Sequence, residues 1–202
     1  MSARLTIKVG DLLDQPVEVI VNAWNRNVIP WWLLLPQGVS RAIKRRAGYG
    51  PFRELSRKGV LPLGGAVLTG AGRLPFRGII HVAGIGLLWR SSEASIRGSV
   101  RNALKLAREH GFGSVAFPLI GAGTGGSRAE HVQAMMEDEI RKSEFSGEVL
   151  LIRYGRGSEP DAAANVGRAP RFQSDALGPA WLRSPFAENA VACGYHRKLA
   201  SC

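Results

Sequence analysis

The stretch that most constrains this chain is Pro118-Leu119-Ile120-Gly121-Ala122-Gly123-Thr124-Gly125-Gly126-Ser127. It follows a short apolar run, Ser114-Val115-Ala116-Phe117, that reads as a buried strand, and it precedes Arg128 to Lys142, which reads as a helix. Glycine in such a turn lets the backbone reach positive φ and lets a ligand approach closely. Amides at a helix start lack intrahelical partners, and the helix dipole favours negative charge there. The simplest ligand is a phosphate or pyrophosphate, although glycine-rich strand-to-helix turns also serve tight packing alone. Two common phosphate motifs do not fit. A P-loop needs Lys and then Ser or Thr after its last glycine, where Ser127-Arg128 stand. The dinucleotide fingerprint should open the first strand–turn–helix unit, and this turn comes late in the chain.

The rest of the chain alternates strands with helices. Leu5 to Val9 alternates apolar and polar residues, as a half-buried strand does, and Gly10-Asp11 ends it. Val17-Glu18-Val19-Ile20-Val21 is β-branched and nearly all apolar, a central strand buried on both faces. It runs into Asn22-Ala23-Trp24-Asn25-Arg26-Asn27, at the kind of strand end where open α/β sheets place ligands, though asparagine is also a common turn residue. Gly38 to Ala47 reads as a helix with Val39, Ala42, Ile43 and Ala47 on one face and Arg41, Lys44 and Arg45 on the other. A short helix over Phe52–Lys58 and strands over Gly65–Thr69 and Gly78–Val82 come next, with His81 in an apolar run as a core histidine bonded to backbone. Ser92 to Glu109 is the clearest helix, and Glu148 to Tyr154 is the last strand. The alternation predicts an α/β sandwich.

Composition sets the class. The 202 residues are 45% hydrophobic, enough for a core, and 27 Lys and Arg against 16 Asp and Glu leave a net charge of +11. That balance favours polyanionic partners and says little about fold. The two cysteines, Cys193 and Cys202, form neither a metal-ligand spacing nor a disulfide framework, so no metal or other cofactor is expected and a reducing, cytoplasmic setting is. The most apolar stretch, Ile29 to Pro36, is far shorter than the roughly 20 residues of a membrane span. From Gly155 to Cys202 the chain is rich in Gly, Ala, Pro, Ser and Arg without periodicity, which reads as a flexible tail after a domain over residues 1–154, with one short ordered piece around Trp181. A monomer is expected.

In order and spacing the motifs resemble those of the macro domain, the ADP-ribose-binding module. Gly10-Asp11-Leu12 resembles its opening Gly-Asp-Ile, and Val17 to Asn25 its Val-Asp-Ala-Ile-Val-Asn-Ala-Ala-Asn strand. Gly38-Val39-Ser40-Arg41-Ala42-Ile43 resembles the end of its first glycine-rich loop, Ile79 to Gly84 its Ile-His-Ala-Val-Gly strand, and Pro118 to Gly126 its second loop. The match runs from about residue 4 to residue 154. It implies a three-layer α/β/α sandwich with a mixed, mostly parallel central sheet. It also implies roles. Asp11 would accept a hydrogen bond from the adenine amino group beside the Leu12 N–H; a carboxylate only accepts, so it tells an amino group from a carbonyl. Position after Gly10 equally permits Asp11 to be a cap. Gly121, Ala122, Gly123, Thr124, Gly125 and Gly126 would cradle the pyrophosphate and distal phosphate, and Gly38 and Val39 would close on it from the other side. Asn25 would bind the distal ribose and position water, and Asn22, in the same binding set, would hold the loop in shape.

Two further members of the implied substrate-binding set, Ser40 and Ser127, depart from the family pattern. Ser40 stands where the branch that removes mono-ADP-ribose from proteins often has an aspartate, and serine cannot act as a base. Ser127 stands where many members place an aromatic. Trp31 and Trp32, in an unusual first loop, could supply that wall, cover the site, form an exposed patch or pack into the core. Three functions follow. One is an ADP-ribose-binding hydrolase acting on ADP-ribosyl esters, O-acetyl-ADP-ribose or an ADP-ribose phosphate by substrate-assisted attack of water. A second is a reader of ADP-ribose or ADP-ribosylated protein that does no chemistry. The third is a basic binder of poly-ADP-ribose or nucleic acid.

Overall fold

The computed structural model describes residues 3–26, 38–86, 90–122 and 128–154. The first-loop tryptophans, residues 123–127 and the proposed tail lie outside the described residues. The elements run β1 (Arg4–Val9), a single 3-10 turn (Leu12–Asp14), β2 (Val19–Asn25), α1 (Gly38–Ala47), α2 (Gly50–Ser56), β3 (Ala66–Thr69), β4 (Gly78–Ile85), α3 (Glu93–Glu109), β5 (Ser114–Pro118), α4 (Ala129–Arg141) and β6 (Glu148–Arg153). The strands form one sheet in the order β1-β6-β5-β2-β4-β3. All neighbours are parallel except β3, which runs antiparallel to β4. The α/β sandwich expected from the alternation, with the mixed, mostly parallel sheet that the resemblance implies, is therefore what the chain builds.

Strand alternation divides the core between the two faces. Val19 and Val21, Ile80 and Val82, Val115 and Phe117, and Val149 and Leu151 pack with α3 and α4. Their neighbours Ile20, Ile79, Ala116, Leu150 and Ile152 pack with α1, α2 and Leu12 and Leu13 of the 3-10 turn. Because helices cover both faces, the central strands read as continuous apolar runs rather than as alternating ones. Each fully buried side chain contributes about 1.5–3 kcal/mol.

Local signals place the helix ends. Ser92 caps α3 by accepting from the Ser95 N–H, and Ser95 reciprocates toward the Ser92 N–H. Pro51 sits in the first turn of α2, where its missing N–H costs nothing.

Two expectations need correction. β1 is not half-buried: it is the sheet edge, and Ile7 and Val9 are 40% and 71% exposed. Arg4 and Lys8 flank them, charges that discourage edge pairing. β2 does not end at Val21 but runs to Asn25, because its ladder with β4 continues through Asn22, Ala23 and Trp24.

Candidate functional site

The chain leaves β2 and β5 in opposite directions. From β2 it passes into α1 on one face of the sheet; from β5 it passes toward α4 on the other. In open α/β sheets the crevice at such a switch, outside the carboxyl ends of the strands, is where ligands bind. The predicted residues gather at that edge. Asn25 ends β2, Gly38 and Val39 open α1, Gly121 and Ala122 follow β5, and Asp11 follows β1.

Each position has a local cause. β2 and β4 slip register between Trp24 and Asn25, so Asn25 pairs with Ile85 rather than Gly84. The unpaired residue is Gly84 of β4, and a bulge of this kind sharpens the twist at the strand end. Gly38 has φ +53°, a left-handed value, and a Cβ built on it would meet nothing within 4 Å among the described residues. No described residue therefore crowds the start of α1 on that side. Gly121 has φ +85°, and a Cβ there would lie 2.5 Å from Ser91 Oγ and 2.7 Å from Ser91 Cβ. Glycine is required at Gly121 on both counts. Gly123, Thr124, Gly125, Gly126 and Ser127 lie outside the described residues.

Asp11 serves as a cap. Its Oδ1 accepts from the Leu13 N–H at 2.8 Å, and Oδ2 stands 3.5 Å from Arg46 Nη1. Arg46 also reaches Asp14 Oδ1 at 2.8 Å and so ties the 3-10 turn to α1. At 29% side-chain exposure the carboxylate keeps lone pairs for another donor.

Behind the crevice runs a buried polar chain. Ser40 Oγ donates to Asn22 Oδ1 at 2.8 Å, with the Ala23 carbonyl at 3.2 Å. Asn22 Nδ2 lies 3.0 Å from His81 Nδ1, and His81 Nε2 lies 2.9 Å from Thr69 Oγ1. With the amide nitrogen facing it, Nδ1 accepts; the ring proton then sits on Nε2 and is donated to Thr69. Phe52 closes on the imidazole edge-on, with ring centroids 5.6 Å apart. Burial holds His81 neutral, its pKa pushed down to about 3.

This arrangement revises three readings. His81 is a core histidine, but its partners are side chains, not backbone. Asn22 is fully buried with both ends of its amide engaged, so it acts from behind the crevice rather than as a ligand contact. Ser40, which the resemblance put in the binding set, is buried too, and its hydroxyl is engaged by Asn22 Oδ1 and the Ala23 carbonyl. Sequence reasoning missed the chain as a unit. Asn22 and His81 face each other in the β2–β4 ladder, and that register is not visible before the strands are paired.

Sheet order and the split helices define an α/β sandwich whose switch point lies between β2 and β5, with the Gly38 and Gly121 turns beside it. The Macro domain family matches residues 21–136, and the chain belongs to that family. An O-acetyl-ADP-ribose deacetylase of Escherichia fergusonii is 32% identical over 166 residues, covering 76% of this chain and 90% of that one. Another of the same name from Citrobacter koseri is 35% identical over 166 residues, with 76% and 90% covered. Among solved structures, a glycine-to-valine mutant of the Oceanobacillus iheyensis macrodomain with ADPR is 28% identical. It superposes with a TM-score of 0.65 over 76% of this chain and 86% of that one.

Proposed function

We propose that this chain binds ADP-ribose in the crevice between the ends of β2 and β5. The observation that carries the reading is the pair of left-handed glycine turns, Gly38 before α1 and Gly121 after β5, flanking the switch point of the sheet. Their amides, with the glycine run that continues from Ala122, would hold the diphosphate. Asp11 would accept from the adenine amino group with the lone pairs its cap leaves over. The Escherichia fergusonii deacetylase and the Oceanobacillus iheyensis macrodomain with ADPR support the same ligand class.

The chemistry that fits is hydrolysis of an ADP-ribosyl ester or of O-acetyl-ADP-ribose. Asn25, at the end of β2, would orient the distal ribose and the attacking water. Ser40 supplies no base, since its hydroxyl is buried and bonded inward. The substrate's own phosphate would take the proton, and orientation with electrostatic positioning would supply the acceleration.

Calorimetric titration with ADP-ribose and with its inosine counterpart tests the assignment. A hydrogen bond to a charged acceptor is worth about 1.5–3 kcal/mol, so the inosine compound should bind about tenfold or more weakly. Equal affinities would remove Asp11 from adenine recognition, and no saturable binding of ADP-ribose would refute the function.

A further inference from the structure

The charge of this chain is not spread over it. Residues 38–77 hold nine Lys and Arg against one acid, Glu54, which is +8 of the total +11. Residues 90–154 hold nine against eight. A basic composition kept only for solubility would be distributed; this one is concentrated in the stretch that carries α1 and α2, the helices that share one face of the sheet.

The two helical layers treat their charges differently. On the α3–α4 layer the cations are neutralised in place. Arg97 pairs with Glu93, Asp138 and Glu139; Arg101 pairs with Glu139, and Lys142 with Asp138. On the α1–α2 layer Arg41, Arg45, Arg53, Arg57, Lys58 and Arg73 are exposed and have no acidic partner among the described residues. Glu54 cannot serve them all, because its carboxylate already accepts from the Gly70 N–H at 2.9 Å. Arg73 is held against the end of α1 by donating to the Arg45 and Arg46 carbonyls at 3.2 and 3.3 Å, which brings a third segment into the same surface. Tyr49, in the turn that joins the two helices, is 57% exposed.

We propose that the outer face of α1 and α2 binds single-stranded nucleic acid. Repulsion among six uncompensated cations is relieved by a partner of dense, repeating negative charge, and the phosphodiester backbone is one. Five of the six are arginines, whose planar fork matches phosphate oxygens and whose face stacks on bases. An exposed aromatic within such a surface is a platform for an unpaired base, which a duplex, an acidic peptide or a lipid headgroup does not offer. None of these six cations is among the residues assigned to the crevice, and the proposal does not depend on what the crevice binds.

Fluorescence anisotropy of a labelled oligothymidylate tests the proposal, since thymine has no amino group for Asp11. Binding should persist in saturating ADP-ribose and should weaken steeply with salt. In Arg45→Glu/Arg53→Glu/Arg57→Glu it should fall by at least about tenfold, and the slope of log K against log salt should shrink by about 2. Should that variant not fold, Tyr49→Ala in otherwise unaltered protein should still weaken binding roughly tenfold. The triple variant should keep its ADP-ribose affinity, so loss of the oligonucleotide alone supports the surface and leaves the crevice assignment standing. Tighter binding to the matched duplex, to polyglutamate or to phosphatidylserine vesicles would overturn the proposal. So would equal loss on reversing Arg101, Lys105 and Arg141 of the other layer.

Discussion

Lowering the pH should destabilise this protein through His81. The imidazole is fully buried between Asn22 and Thr69 and is held neutral, with its pKa pushed down from 6.5 to about 3. In the unfolded chain it regains its ordinary value and takes up a proton near pH 6.5. Below that pH the unfolded state binds more protons than the folded one, so stability falls as pH falls. The loss begins near 6.5, grows by about 1.4 kcal/mol per pH unit, and reaches about 2 kcal/mol at pH 5. For a domain of this size that lowers the melting temperature by about 4–8 °C. Denaturant unfolding at pH 7.5 and pH 5 measures it, with His81→Gln as the control because glutamine offers a donor and an acceptor without titrating. The variant should be less stable at pH 7.5 but should lose about 2 kcal/mol less than wild type on going to pH 5. If both proteins lose the same amount, the imidazole does not sit as described, and the polar chain behind the crevice is wrong.

Other perturbations follow from the same geometry. Ser40→Ala leaves Asn22 Oδ1 buried without its donor and should cost about 1–3 kcal/mol of stability in denaturant melts. Gly121→Ala forces a left-handed alanine against Ser91 and should weaken ADP-ribose binding in calorimetry, with partial recovery in Gly121→Ala/Ser91→Gly. Asp11→Ala loses the cap to Leu13, worth about 1 kcal/mol in melting experiments, and should bring ADP-ribose and its inosine counterpart to similar affinity. Asn25→Ala should sharply reduce hydrolysis of an ADP-ribosyl ester in a product-release assay while the fold, read by circular dichroism, is kept.

Much of this was legible before the strands were paired. The helix over Gly38–Ala47 and the strand starting at Ser114 stand where apolar spacing puts them, because those residues bury one stripe or both faces. Glycine at 121 announced a turn that no other residue could make. What stayed hidden depends on contacts distant in sequence. Asn22 looked like one more turn asparagine until the β2–β4 register set it opposite His81 and α1 brought Ser40 onto it. Ser91, which closes the back of the Gly121 turn, belongs to a segment that carries no motif of its own. The exposure of β1 follows from sheet order, which alternation along a single strand does not contain.

A crystal structure of the protein soaked with ADP-ribose tests the central claim most directly. The account predicts the diphosphate between the Gly38 and Gly121 turns, the adenine amino group on Asp11 and the distal ribose at Asn25. A ligand seated elsewhere on the sheet, or an adenine turned away from Asp11, would contradict it.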